Sequence, residues 1–161
     1  MEFIDVINAR HSVRRYAETP VEREKVEMII SAARTAPSSK NSKSTGFMVV
    51  EDPDMLAAIS EMRDHGSALI KGAGAAIVIL GDTTKTDLWV ENCAISATFV
   101  QLAATDLGLG SCWVHVHGRE RVKGDAASGS AEDYLRELLG IKPEFGVLCV
   151  VALGYPEETE A

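Results

Sequence analysis

The chain has 161 residues, of which 46% are hydrophobic and 25% are charged, and its formal net charge at pH 7 is −8. These values are typical of one globular domain, 1–161, and exclude an intrinsically disordered chain. The excess of acids disfavours non-specific nucleic-acid binding. The acidic N-terminal residues are not typical of a signal peptide, and three scattered cysteines without a CxxC motif favour a reducing cytoplasm.

The first part of the chain predicts two helices. Phe3 to Ala9 has helical periodicity, with Ile4 and Ile7 expected on the inner side. Thr19-Pro20-Val21-Glu22 has the form of a capping box, in which Glu22 reaches back to the start of the helix. A second helix is therefore expected from Pro20 to about Arg34.

Strands and helices then alternate. The predicted strands are GFMVVED, AAIVILGD, LGSCWVHVH and FGVLCVVALGYP. One helix is expected from Asp52-Pro53 to about Met62, and another from Ser130 to Gly140. GDAASGS, just before Ser130, is expected to be a loose surface loop. This order predicts an α+β fold with a mixed sheet of four or five strands and helices on both faces.

The long segment LWVENCAISATFVQLAATDLGLG, from Leu88, predicts a helix that is apolar on nearly all sides. Polar residues interrupt it at Glu91, Asn92, Gln101 and Asp106. These interruptions and the lack of basic flanks disfavour a membrane span. Because a chain of this size has little interior to surround such a helix, we expect it to form a dimer interface, with Ala97 facing the partner.

Two polar segments are candidates for binding chemistry. Arg10, Ser12 and Arg14 could hold a phosphate or carboxylate, since guanidinium groups bind oxyanions bidentately. The alternative is a solvated basic turn that pairs with surface acids. The loop PSSKNS, 37–42, is rich in hydrogen-bond donors, but it could also be an ordinary connection.

Two histidines, His115 and His117, alternate on a predicted strand and should share one face. A metal site would need a third ligand, and none stands at a telling spacing. The favoured interpretation is that both lie at the strand end, one near a ligand and one at the surface.

The segments ARHSVRRY, APSSKNS, LGLGSCW and ALGYP, in this order, resemble the nitroreductase family of flavoenzymes from about Val6 to Pro156. The resemblance implies a mixed, mainly antiparallel sheet in an intertwined homodimer, with FMN at the subunit interface. It implies an FMN-dependent oxidoreductase that takes hydride from NADH or NADPH onto flavin N5. The electrons then pass to an acceptor such as a nitroaromatic or quinone in a ping-pong cycle. The alternatives are a flavin-binding or delivery protein with little turnover, or a dehalogenase or flavin-fragmenting enzyme of the same fold.

The resemblance also implies which residues bind FMN, while the protein supplies no catalytic side chain and no metal, because the cofactor carries the chemistry. The phosphate, ribityl chain and pyrimidine side are assigned to Arg10, His11, Ser12 and Arg14. The loop from the other subunit supplies Pro37, Ser38, Ser39 and Asn41. The backbone beside flavin N5 belongs to His115 and Val116.

One departure from the family concerns the phosphate. The sequence ends in YPEETEA, without the basic residues that often help to hold that group. Either Arg10 and Ser12 suffice, or FMN binds weakly, or another base substitutes. The candidate substitutes are Arg119, Arg121 and Lys123.

Overall fold

The computed structural model describes residues 1–158. Its helices are α1 (Phe3–Ala9), α2 (Arg23–Arg34), α3 (Pro53–Ser60), α4 (Trp89–Asp106) and α5 (Ala131–Leu139). Short 3₁₀ turns lie at Ser39–Asn41 and Ala68–Gly72. The strands are β1 (Thr45–Val50), β2 (Ala75–Asp82), β3 (Gly110–His115), β4 (Glu120–Val122), β5 (Asp125–Ser130) and β6 (Phe145–Gly154).

The central sheet has the strand order β1-β2-β6-β3, and each neighbouring pair is antiparallel. β2 and β6 form the centre, where nearly every residue is buried, as their continuous apolar runs predict. An isolated parallel bridge joins Ser12 to Ser111 on the outer edge of β3. The predicted α+β fold with a mixed, mainly antiparallel sheet is confirmed.

Helices cover both faces of this sheet, as predicted. On one face, α3 and α5 pack against the strands through side chains that include Leu56, Ile59 and Leu135. On the other face, α2 and α4 pack through side chains that include Ile29 and Val100. The two hydrophobic layers hold the sheet edges in fixed positions.

Two expectations for α1 are wrong. Ile4 and Ile7 are not on the inner side, since 62% and 41% of their surfaces are exposed. Val6 is the buried residue of the helix. In a helix of only seven residues, few side chains face the core, and the sequence does not tell which of the apolar residues does so.

The predicted capping box of α2 does not form. The helix begins at Arg23, and the Glu22 side chain makes no capping hydrogen bond. Instead, the Glu22 carboxylate accepts a hydrogen bond from the Tyr155 hydroxyl at 2.8 Å and pairs with Lys25 at 3.2 Å. Tyr155, a distant residue, and Lys25, in the first turn of the helix, lower the pKa of Glu22 and engage its carboxylate in place of the helix cap.

The segment GDAASGS is not a loose loop, because most of it forms β5, which pairs with β4 in a small hairpin. Asp64 anchors the hairpin. Its backbone N–H donates to the Arg121 carbonyl at 2.7 Å, and its carboxylate accepts from the N–H of Lys123 at 3.3 Å. The hairpin is largely exposed, so its strands lack the apolar alternation that predicts a sheet.

Helix α4 packs one side against the sheet of its own chain. Its buried residues are Asn92, Cys93, Ser96, Ala97, Val100, Gln101 and Ala104. Ala97 is fully buried in this layer, so the expectation that it faces a partner is wrong. Within residues 1–158, no helix is both long and apolar enough to cross a membrane.

Candidate functional site

Residues 10–14, which we call the anion-binding segment after the binding predicted from the sequence, lie along the outer edge of β3. The backbone N–H of Val13 donates to the Ser111 carbonyl at 2.9 Å, and the Val13 side chain is buried in the core. Ser12 and Arg14 lie close to Cys112. Burial raises the pKa of this thiol, whereas the charge of Arg14 and the hydrogen bond of Ser12 oppose that rise.

Arg10 begins this segment directly after α1. It is half-buried, and its backbone N–H donates to the Val6 carbonyl at 3.0 Å. No ion pair joins its guanidinium to another described residue. His11 is exposed, and its Nδ1 lies 3.0 Å from the Ala9 carbonyl oxygen. The guanidinium of Arg10 is therefore available for an anion, whereas the His11 side chain folds back on the helix end.

The backbone of β3 presents different groups along its open edge. Alternate residues of a strand direct their backbone N–H and C=O groups to opposite sides. The backbone groups of His115 therefore point to the same side as those of Ser111, away from β6. The His115 carbonyl accepts a hydrogen bond from Arg63 at 3.4 Å on that side. The N–H of Val116 instead donates to the Leu148 carbonyl at 3.1 Å. Of the two backbone N–H groups predicted beside the flavin, that of His115 points to the open edge.

The side chain of His115 is held as a neutral imidazole. Its Nδ1 accepts a hydrogen bond from Nε1 of Trp113 at 3.2 Å, and the two rings stack 14° from parallel. Burial lowers the pKa of His115, and the nearby cations Arg119 and Arg63 lower it further. An accepting Nδ1 places the ring proton on Nε2.

His117 has separate surroundings, although the sequence places it on the same strand face as His115. The strand ends at His115, and the N–H groups of Val116 and His117 both donate to the Leu148 carbonyl. The His117 ring packs edge-on against Trp89 and its Nδ1 lies 3.1 Å from the Glu132 carboxylate. Among residues 1–158, no group of three or more His, Cys, Asp or Glu side chains could hold a metal ion.

Residues 37–44, which we call the serine loop, are held by the side chain of Asn92 in α4. This side chain is almost fully buried. Its Oδ1 accepts from the backbone N–H of Ser39 at 3.0 Å. Its Nδ2 donates to the hydroxyls of Ser39, Ser42 and Ser44 at 3.3, 3.3 and 3.0 Å. One carboxamide thus fixes three residues of the loop.

The serine loop has an unusual backbone. Three residues that are not glycine have left-handed φ angles: Lys40 (51°), Asn41 (53°) and Lys43 (50°). Such conformations cost energy and persist where surrounding contacts impose them. Ser38 contributes one of these contacts, because its hydroxyl accepts from the N–H of Lys43 at 3.0 Å. Pro37 and Asn41 are exposed, as are Lys40 and Lys43, so these parts of the loop could contact another molecule.

Asn92 is the residue of the candidate site that the sequence did not point to. The sequence shows it only as a polar interruption in an apolar helix. The signal was present nonetheless, since a buried amide needs hydrogen-bond partners and the serine loop offers several.

The structure brings the predicted site residues together in two sets rather than one. The anion-binding segment and His115 lie at β3, whereas the serine loop leads into β1. These strands are the opposite edges of the sheet. Three strand spacings separate them, or about 14 Å. In one chain, the two sets therefore lie at opposite edges of the sheet, with β2 and β6 between them.

Comparison with known proteins confirms the family resemblance. The model of the Nitroreductase family matches residues 7–65 and 56–155. An Archaeoglobus fulgidus protein provisionally named NADH dehydrogenase/NAD(P)H nitroreductase is 38% identical over 162 residues, which cover 98% of this chain and 87% of that protein. The structure of an FMN-dependent nitroreductase from Clostridium difficile superposes with a TM-score of 0.90 at 38% identity, over 96% of this chain and 88% of that one.

A more local similarity involves a different enzyme. Iodotyrosine deiodinase 1 of Mus musculus is 43% identical over 61 residues, which are 38% of this chain and 21% of that protein. This match is too short to distinguish reactions within the fold.

Proposed function

The chain belongs to the nitroreductase family, and from this premise we propose that it is an FMN-dependent NAD(P)H oxidoreductase that works as a homodimer. When bound, FMN would accept hydride from NADH or NADPH at N5 and pass the electrons to an electron-poor acceptor, such as a nitroaromatic or quinone, in a ping-pong cycle. The main support for a homodimeric site is the placement of the two sets of predicted site residues at opposite edges of the sheet. A second copy could bring its serine loop to the anion-binding segment of the first.

The anion-binding segment fits the phosphate of FMN. A phosphate monoester carries between one and two negative charges at pH 7, and a guanidinium binds it bidentately. Arg10 supplies a half-buried guanidinium without an ion pair among the described residues. Ser12, two residues further along the chain, adds a hydroxyl. This donor set supports the assignment of Arg10 and Ser12 to the phosphate and ribityl chain.

Arg14 and His115 suit the ring of the cofactor. A cation at Arg14 would stabilise the negative charge that reduction places on the pyrimidine side, which raises the reduction potential. The outward N–H of His115 could orient the ring through a hydrogen bond at N5. Because the His115 imidazole is neutral, it adds no second charge at that end of the site.

The outer surface of α4 supports dimerisation. Between α1, α2 and α4 lies a groove of about 410 Å³ that is lined mainly by apolar side chains, including Phe3, Phe99 and Leu102. Next to it, Ile4 and Ile95 remain exposed. An apolar groove flanked by exposed apolar side chains is typical of an interface. Helix α4, which holds the serine loop, forms one wall of this groove.

The absorbance spectrum and anaerobic reduction test this function. We expect the purified protein to bind FMN at micromolar concentration, and NADH or NADPH to bleach the flavin rapidly in stopped flow. A nitroaromatic or quinone should then restore the oxidised spectrum. Lack of FMN binding would refute the proposal. Binding without bleaching would identify a flavin-binding protein instead, and reoxidation only by an iodinated tyrosine would identify a dehalogenase.

A further inference from the structure

A strongly basic pocket of about 460 Å³ lies between the end of α3 and the β4–β5 hairpin. Its lining residues are Arg63, His65, Gly118, Arg119, Glu120 and Lys123. Three permanent cations therefore meet in one pocket of a chain whose net charge is −8. The anion-binding segment contributes none of these residues, so the pocket is a second, separate cationic site.

Hydrogen bonds fix the segments that carry these cations. The backbone N–H of Arg119 donates to the Val116 carbonyl at 3.1 Å, and its carbonyl accepts from Ala131 at 2.9 Å. Nearby, the Arg121 guanidinium lies 4.0 Å over the Tyr134 ring and donates to a helix-end carbonyl, so it is used to hold the hairpin. The backbone that carries Arg119 is thus fixed before any ligand binds, while the side chains of Arg119 and Lys123 are exposed to solvent.

The pocket has few acids to neutralise it. Glu120 is the carboxylate in its lining, and that group accepts a hydrogen bond from the N–H of Gly124 at 2.8 Å in the hairpin turn. Asp64, next to the pocket, bonds the backbone of Lys123. Among residues 1–158, no ion pair involves Arg63, Arg119 or Lys123. A multiply charged anion would meet three cations that form no ion pair, against the carboxylates of Glu120 and Asp64.

The location of the pocket indicates which anion it takes. Arg63 donates from its Nη1 to the His115 carbonyl, so the pocket adjoins the end of β3 at which the proposed function places the reactive part of the flavin. Ser12 forms its bridge with Ser111, which precedes His115 by four residues on β3. Ser12 therefore lies about 13 Å along the strand from the His115 end. A flavin phosphate at Ser12 leaves the pocket open to a second phosphate compound.

We propose that this pocket binds a phosphate of the nicotinamide dinucleotide that donates hydride. The inference rests on the proposed function, in which the nicotinamide must reach the His115 end of the site. The pyrophosphate of either dinucleotide, or the additional 2′-phosphate of NADPH, supplies the required charge. Arg119 and Lys123 are the main ligands, since their side chains are exposed in the pocket lining, whereas Arg63 is half-buried and donates to His115.

Kinetics of anaerobic flavin reduction test the proposal. The double variant Arg119→Ala/Lys123→Ala is compared with Lys142→Ala, which removes an exposed cation beyond α5. For the double variant we expect the apparent Kd for NADPH to rise about tenfold or more, as charged hydrogen bonds are lost. The limiting rate and the affinity for FMN should not change. A rise confined to NADPH assigns the 2′-phosphate, and an equal rise with NADH assigns the pyrophosphate.

Calorimetry provides a measurement that does not depend on turnover. The FMN-loaded protein should bind 2′,5′-ADP or ADP, and the double variant should bind the same probe at least about tenfold more weakly. Equal binding by wild type and variant, or binding of neither probe by wild type, would overturn the inference. So would a loss of FMN affinity in place of dinucleotide affinity, because the pocket would then hold the flavin phosphate. Failure of the proposed function appears differently, as wild-type flavin that neither dinucleotide reduces.

Discussion

Val13 lies so close to Gly110 that a Cβ on the glycine would come within 2.7 Å of the valine Cβ. This contact places the anion-binding segment directly against β3, with Ser12 and Arg14 on either side of the valine. The missing side chain at Gly110 is therefore a requirement of the site as well as of the fold.

The substitution Gly110→Ala should push the anion-binding segment away from β3. We expect FMN affinity to fall at least tenfold and stability to fall by about 1–3 kcal/mol, the usual cost of overpacking. Flavin fluorescence and urea unfolding measure the two effects. Gly72→Ala is the matched control, because no atom lies within 4 Å of its added Cβ. Equal FMN affinity in both variants would contradict the placement of the segment.

Removal of the Arg10 guanidinium should weaken the binding of FMN through its phosphate. For Arg10→Ala we expect a loss of about 1.5–3 kcal/mol, the range for a hydrogen bond to a charged group. Riboflavin lacks the phosphate, so its affinity should not change. Arg15→Ala, at the neighbouring exposed arginine, serves as the control. If FMN and riboflavin lose affinity equally, the phosphate does not lie at Arg10.

Loss of the Asn92 carboxamide should release the serine loop. Asn92→Ala leaves the partly buried N–H of Ser39 and the buried hydroxyl of Ser44 without this partner, which costs about 1–3 kcal/mol for each group left unsatisfied. Unfolding and FMN affinity should both show the loss. Asn92→Asp retains an acceptor for the Ser39 N–H and can accept from the serine hydroxyls, so it should restore much of both. Glu137→Ala, at an exposed position of α5 on the other face of the sheet, is expected to change neither.

A charge in the apolar groove should prevent dimerisation. Leu102→Glu places a carboxylate in the groove, and we expect a monomer at low micromolar concentration that also loses FMN. Val122→Glu makes the same kind of change at an exposed apolar residue of the hairpin. Analytical ultracentrifugation compares the two. A Leu102→Glu variant that sediments like wild type would exclude the groove from the interface.

The lowered pKa of His115 predicts a dependence of stability on pH. The unfolded histidine titrates near its ordinary pKa of about 6.5, and the folded one at a lower pH. Its contribution is therefore complete above about 6.5 and is lost as the pH falls from there through the folded pKa. Urea unfolding at pH 7.5 and 5.5 should show a smaller loss for His115→Gln than for wild type. NMR titration of the imidazole gives the pKa directly, and a value above 6.5 would refute the burial argument.

The buried strands could be predicted from the sequence, because burial on both faces demands a continuous apolar run. The run Ala75–Asp82 has the same boundaries in the structure as in the prediction. The hairpin could not be predicted this way, since Asp125–Ser130 buries little and is held through Asp64, about 60 residues away. Local patterns report burial, whereas the hairpin depends on polar contacts between distant segments.

The candidate site shows the same limit. Motif order predicted a site at residues 10–14 and the serine loop, but it did not point to Asn92, whose contacts are with serines that lie about 50 residues earlier. Periodicity also predicted that α4 is an interface helix, and it assigned Ala97, which is buried against its own sheet, to the partner side. A helix that is apolar all round has two buried faces in a dimer, and its sequence does not distinguish its own sheet from its partner.

The division of the site between opposite sheet edges links cofactor binding to mass action. If each flavin touches two copies, FMN stabilises the dimer by the same free energy with which the dimer stabilises bound FMN. Dilution would then strip the cofactor without any change in the chain. Chains that carry different defects, one in residues 10–14 and one in the serine loop, would regain one intact site per mixed pair.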